Sequence, residues 1–255
     1  MARAVAKKKP TKVATESEYD FGDDVGGGFE GQSQDDMSIP FLSVLQQLSP
    51  TVEEGNGKAG QFLNTVTEEV YDEVNFVAAY TEHVFVEWIP REKGGGIAGI
   101  HRPGDDVVVH CQENQEFGKY ITPDENDLVE TFYVYGVLDD GNTVVIPFTS
   151  TKIGVYKRWN TRLKMFTVPG PGGRKVRPPL FSHLNKLTSI KQENPKGKFY
   201  NMVISPANGD LRGSMVMPDN DLYVAAKMCK EAVISGTAHA DTKSAGKAED
   251  GDTPF

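Results

Sequence analysis

Short apolar runs at close spacing set the pattern of the first two thirds of the chain. "QFLNTV", "NFVAAY" and "HVFVEWI" are rich in β-branched and aromatic residues with turn-like breaks between them, which predicts three strands in quick succession. "GGGIAGIHRPGDD" reads as a loop and "VVVHC" as another short strand. "DLVETFYVYGVL" and "NTVVIPF" flank "DDG", a strong hairpin signal. Three stretches carry helical spacing instead. "SIPFLSVLQQLSP" places Ile39, Leu42, Leu45 and Leu48 on one face, with Ser38 as a cap, Pro40 in the first turn and Pro50 beyond the end. "STKIGVYKRWNTRLKMF" predicts a second helix, capped at Ser150 or Thr151 and weakened by Gly154. "DNDLYVAAKMCKEAVISG" predicts a third, with Leu222, Ala225, Ala226, Cys229 and Val233 facing inward and Gly236 as its stop. Between the last two helices, "PGPGG" breaks the chain, and "LFSHLNKLTSI" and "KFYNMVIS" form a strand pair around Asn194–Gly197.

Short strands with inserted helices predict a mainly β fold with added helices (α+β), an OB-fold-like small barrel elaborated by helices. Composition confines that fold to the middle of the chain. Residues 13–36 carry eight acids, no Lys or Arg, and three consecutive glycines, too little apolar surface to offset chain entropy; residues 236–255 read the same way. The expected organisation is a disordered N-terminal arm over 1–36, one binding domain over 37–235, and a flexible acidic tail over 236–255. No run approaches the length of a membrane span, and the basic N-terminus lacks the apolar region of a secretory signal. Cys111 and Cys229 fit a reducing cytoplasm and two buried thiols.

A formal net charge of −9 argues at first against nucleic acid, and its distribution reverses that argument. Residues 151–200 hold twelve bases against one acid, Glu193, giving +11, while the remaining 15 bases and 35 acids give −20. Charges sorted in this way are foreign to a uniformly solvated surface. Aromatic residues run through the same segment, and bases that track phosphates beside rings that stack on bases are the requirements of sequence-tolerant single-strand binding. The candidate DNA-binding residues are Lys152, Tyr156, Lys157, Arg158, Trp159, Arg162, Lys164, Phe166, Arg174, Lys175, Arg177, Lys186, Lys191, Lys198 and Tyr200. Trp159, between Arg158 and Arg162, is the ring expected to touch a base; of the neighbours Phe199 and Tyr200, one is expected in the core and the other outside. Trp88, in an apolar strand pattern, is expected to be structural.

Catalytic patterns are weak. His110 and Cys111 are adjacent, unlike a spaced zinc pair, and the glycine-rich "KGGGIAGIHRPGD" lacks the ending of a phosphate-binding loop. The reading is of a non-enzyme that needs no cofactor. The ending "EDGDTPF" offers an apolar ring and an anion together beside Asp250 and Asp252, a peg suited to a greasy pocket rimmed by bases.

Asp250, Asp252, Pro254 and Phe255, behind a basic aromatic-bearing domain, resemble the tails of bacterial and phage single-stranded DNA-binding proteins; Thr253 and Gly251 depart from that pattern. "STKIGVYKRWN" followed by "PPLFSHLNKLTS" is similar to a group of tailed-phage replication proteins. The resemblance implies a protein that coats single-stranded DNA in replication, recombination and repair. It also implies a tail that recruits replication proteins (polymerase, helicase-primase or recombinase) in the host cytoplasm, and it leaves homo-oligomerisation open. Two other classes stay open: a nucleic-acid-binding cofactor of an RNA polymerase or recombinase, and a phage structural protein that meets packaged DNA.

Overall fold

The computed structural model describes Gly28 and residues 38–113, 118–195 and 197–242. In chain order its strands are β1 (Ser38–Ile39), β2 (Leu42–Val44), β3 (Phe62–Asn64), β4 (Val70–Tyr71), β5 (Val74–Trp88), β6 (Ile97–His101), β7 (Gln112–Glu113), β8 (Lys119–Ile121), β9 (Asp127–Leu138), β10 (Thr143–Thr149), β11 (Val168–Pro169), β12 (Lys175–Val176), β13 (Leu184–Asn194), β14 (Gly197–Pro206) and β15 (His239–Ala240). The helices are α1 (Pro50–Glu53), α2 (Asp106–Val109), α3 (Thr151–Met165) and α4 (Asp221–Ser235).

The fold is mostly β, and its largest sheet curls into a half-barrel. Eight strands run in the order β14-β13-β5-β9-β8-β7, with β10 also on β9 and β6 also on β5. The hairpin read from "DDG" is present. The turn closes where the Gly141 N–H donates to the Leu138 carbonyl and the Leu138 N–H to the Asn142 carbonyl, with Gly141 at φ 92°.

The two faces of the sheet carry separate cores. One holds Phe76, Val134, Ile146, Phe148 and Leu187 under Tyr156, Trp159 and Leu163 of α3. The other holds Val77, Val84, Val86, Tyr133 and Val145 under Ala226 and Cys229 of α4, with Trp88 packed at its edge. A bulge in β5 makes this division possible. The register against β9 shifts between Ala78 and Tyr80, so even-numbered residues face α3 before it and odd-numbered residues face α3 after it. Without the extra residue Val84 and Val86 would leave their core. The breaks expected between "NFVAAY" and "HVFVEWI" are therefore absent, and the two runs form one strand of 15 residues.

Other expectations need correction. "SIPFLSVLQQLSP" is not a helix. Phe41, Leu42, Val44 and Leu45 are all buried, and such a run has no polar face to give solvent. It forms β1 and β2 instead, β2 pairing with β3, while Pro50 opens the short α1. Ile97–His101 leaves the expected loop to pair with β5 as β6. "VVVHC" contributes to α2, where its valines bury no full face and Asp105 and Asp106 supply the acidic start of a helix. Cys229 is buried but Cys111 only half-buried. The final helix is as read, with the Asn220 side chain accepting from the Leu222 N–H and Gly236 left-handed at φ 77°. Beyond it, His239–Ala240 pairs in parallel with Ser38–Ile39, inside the stretch assigned to the tail. The N-terminal arm other than Gly28, and Asp250, Asp252, Pro254 and Phe255, lie outside the described residues. Among the described residues no helix is long and apolar enough to cross a membrane.

Candidate nucleic-acid interface

The basic segment folds into three consecutive pieces: α3, the small hairpin of β11 and β12, and the long hairpin of β13 and β14. Helix α3 buries Lys152, Ile153, Tyr156, Trp159 and Leu163, a spacing of three and four that defines one face. Lys157, Arg158, Arg162 and Lys164 stand exposed on the other side. Arg162 and Lys164 occupy the last turn, where cations favour the helix dipole.

That periodicity overturns three of the expected contacts. Trp159 is 6% exposed, and its indole Nε1–H donates to Asn185 Oδ1 at 2.9 Å. Tyr156 is wedged among Phe132, stacked at 4.5 Å, Phe148 and Trp159, and burial pushes its phenol pKa up. Both rings belong to the core beneath the helix and offer no face to a base. Lys152 lies on the same buried side. Lys186 is half-buried and its ammonium meets Glu73 Oε1 at 2.7 Å, so its charge is already matched.

The second piece is a small exposed hairpin. Val168 pairs with Val176 and Pro169 with Lys175, and the Gly170 N–H donates to the Arg174 carbonyl at 2.7 Å. A Cβ on Gly170 would sit 2.5 Å from Val176 Cγ1, so only glycine lets the valine close over it. Residues 171–177 are all exposed, which leaves Arg174, Lys175 and Arg177 free of the fold. Phe166, at the foot of this hairpin, is half-buried with its ring edge-on to His183 at 5.5 Å; burial pushes the His183 pKa down.

In the third piece, β13 pairs with β5 only through Leu184–Leu187. The rest of β13 and β14 continues as a two-stranded ribbon, held from below by Gln46 and by the Ser189 hydroxyl, which donates to the Gly60 carbonyl. Gln46 Nε2 donates to the Tyr200 carbonyl at 2.9 Å, and the Tyr200 N–H donates to Gln46 Oε1 at 2.8 Å. The amide thereby completes the ladder as a further strand would. Tyr200 rests on Gly60, whose φ is 97° and whose added Cβ would lie 2.6 Å from the ring. Lys191 Nζ sits 5.9 Å from the centroid of that ring. Phe199 is half-buried like Tyr200, so neither is the core residue that alternation suggested. Lys191 and Lys198 are exposed.

Among the described residues, Lys157, Arg158, Arg162, Lys164, Arg174, Lys175, Arg177, Lys191 and Lys198 make no ion pair. Sequence reasoning missed two rings beside them. Lys157 Nζ lies 5.5 Å above Phe132, and His83 stacks on Phe132 at 4.3 Å with planes 7° apart. The bulge in β5 puts His83 there, and no residue type announces it. The missed Gln46 could have been suspected only as a polar residue inside an apolar run.

Nothing among curated proteins or solved structures matches the chain. A family model described as Pam3 phage gp34-like protein matches residues 8–239, which takes in the half-barrel, both large helices and the whole basic segment. The chain belongs to the Pam3 phage gp34-like family.

Proposed function

We propose that this chain is a non-enzymatic, largely sequence-independent single-stranded DNA-binding protein of phage replication or recombination, working in the host cytoplasm. The observation that carries the reading is the set of nine exposed bases without carboxylate partners, spread over α3, the small hairpin and the ribbon. Bases left unpaired on a chain of net charge −9 are suited to a polyanion. The curled half-barrel supports an OB-like use of the sheet as a platform. Tyr200, half-buried beside Lys191, replaces Trp159 and Tyr156 as the ring offered for stacking, whereas Phe132 is already stacked against His83 and Tyr156. Asp250, Asp252, Pro254 and Phe255 recruit replication enzymes.

Titration with dT oligomers, duplex DNA and RNA at several salt concentrations tests the proposal. If about five of the nine bases meet phosphates, log K falls against log salt with a slope of about −3.5. Binding that is flat between low and physiological salt refutes the electrostatic basis, and a preference for duplex over dT refutes the stacking.

A further inference from the structure

Helix α4 turns Ala226, Cys229 and Ala232 into the core beneath it. Its outer side has a different character. Val224, Lys227, Glu231 and Ile234 are all exposed, at spacings of three, four and three that keep them within about 80° of the helix circumference. Val224 is 45% and Ile234 59% exposed, on a side where a helix facing only water carries polar residues. Helix propensity does not account for them, because branching at Cβ lowers it slightly. Met228, 56% exposed, flanks the stripe and lines, with Val66, an open groove of about 480 Å³. Apolar surface of that kind is suited to being covered.

The two charges of the stripe specify the cover. Lys227 and Glu231 make no ion pair among the described residues. Lys stands four positions before Glu, the poorer of the two orders for a pair within one helix. Read from its other end, however, the stripe is its own complement. Val224 and Ile234 lie equally far on either side of position 229, and so do Lys227 and Glu231. An antiparallel copy related by a twofold axis at that level sets apolar against apolar and each charge against its opposite. A parallel copy would set Lys against Lys and Glu against Glu, which is repulsive.

We infer that a second copy of this chain packs on α4 with its own α4 antiparallel, Val224 meeting Ile234 of the second copy and Lys227 meeting Glu231 of the second copy, each contact occurring twice. Four side chains and Met228 from each copy cover less than the roughly 1,200 Å² that tight complexes bury, so the dimer is reversible. Helix α3 packs on the other face of the sheet, and both copies keep its exposed side open. This inference stands without the strand-binding proposal, and its test contains no nucleic acid.

Sedimentation equilibrium of the full chain over micromolar concentrations is the test. The parent shows monomer and dimer in proportions that shift with concentration. Lys227→Glu and Glu231→Lys each create two like-charge contacts beside the axis and weaken the dimer by more than about tenfold. Both positions are exposed, so the fold survives either change, and a thermal melt checks that it does. Mixing the two variants restores association, as a heterodimer in which every Glu meets a Lys; a fluorescent label on one variant identifies it. Val224→Ser combined with Ile234→Ser weakens the parent dimer without any change of charge. A parent that stays monomeric up to millimolar concentration overturns the inference. A dimer indifferent to both charge reversals places the contact on another surface, and a mixture that stays monomeric removes the antiparallel register; either result also overturns it.

Discussion

Trp159→Phe is the substitution that decides between a core ring and a stacking ring. The indole donates to Asn185 Oδ1, on a residue only 1% exposed, and Asn185 Nδ2 is meanwhile committed to the His183 carbonyl at 2.9 Å. Phenylalanine has no N–H to give, so a buried acceptor loses its donor, at about 1–3 kcal/mol. The smaller ring also vacates space worth about 1 kcal/mol of apolar contact. The expected loss is about 2–4 kcal/mol. In urea, with a slope of about 2 kcal/mol per molar, the midpoint falls by about 1–2 M while the slope stays unchanged. The same variant, titrated with dT oligomers at a temperature where it is fully folded, binds as the parent does. A variant of unchanged stability that binds dT ten times more weakly would refute the reasoning and return Trp159 to the surface.

Three further outcomes follow from the geometry. Gln46→Ala removes both bonds to the Tyr200 backbone, at a cost of about 1–3 kcal/mol, and amide exchange quickens in the ribbon before it does in β9. Replacing Arg174, Lys175 and Arg177 together by serine leaves thermal stability within about 0.5 kcal/mol, because these side chains are exposed, but makes the salt slope shallower by up to about 2. Burial works to raise the Glu87 pKa, yet bonds from Asn126 and His101 outweigh it and hold the carboxyl below its ordinary 4.5. The folded state then binds fewer protons than the unfolded chain, so this contribution is present above about pH 4.5 and fades as pH falls through the lower folded value. Melts between pH 7 and 3 should show Glu87→Gln losing less on acidification than the parent.

The elements most legible in the sequence were those with strong local signals. The "DDG" hairpin, α3 and α4 each carry periodicity and turn chemistry that tertiary structure had no reason to override. Residues 38–50 misled because an apolar run buried on both sides has no period, and prolines can open a helix or flank a strand. At the candidate site, composition revealed that bases gather in residues 151–200 but not which of them are spent. Lys186 is matched by Glu73, 113 positions away, a pairing that exists only once β13 lies beside β5. Trp159 differs: its arginine neighbours suggest the surface, whereas its spacing from Tyr156 and Leu163 puts it on the inner face of α3.

The parallel pairing of β1 with β15 has a consequence for how the molecule meets a charged partner. It brings residues 38 and 239 to within one strand spacing, about 4.8 Å, so the described chain is almost a closed ring of polypeptide. Linking Thr242 back to Ser38 through a short added connection, and opening the ring at the turn after Asn194, would preserve every strand pair, which makes a circular permutant feasible. The joined ends lie against the α4 core through Ile39 and Ala240, while the exposed bases of α3 lie on the other face of the sheet, so a permutant joined there keeps intact the basic face it would offer a charged partner.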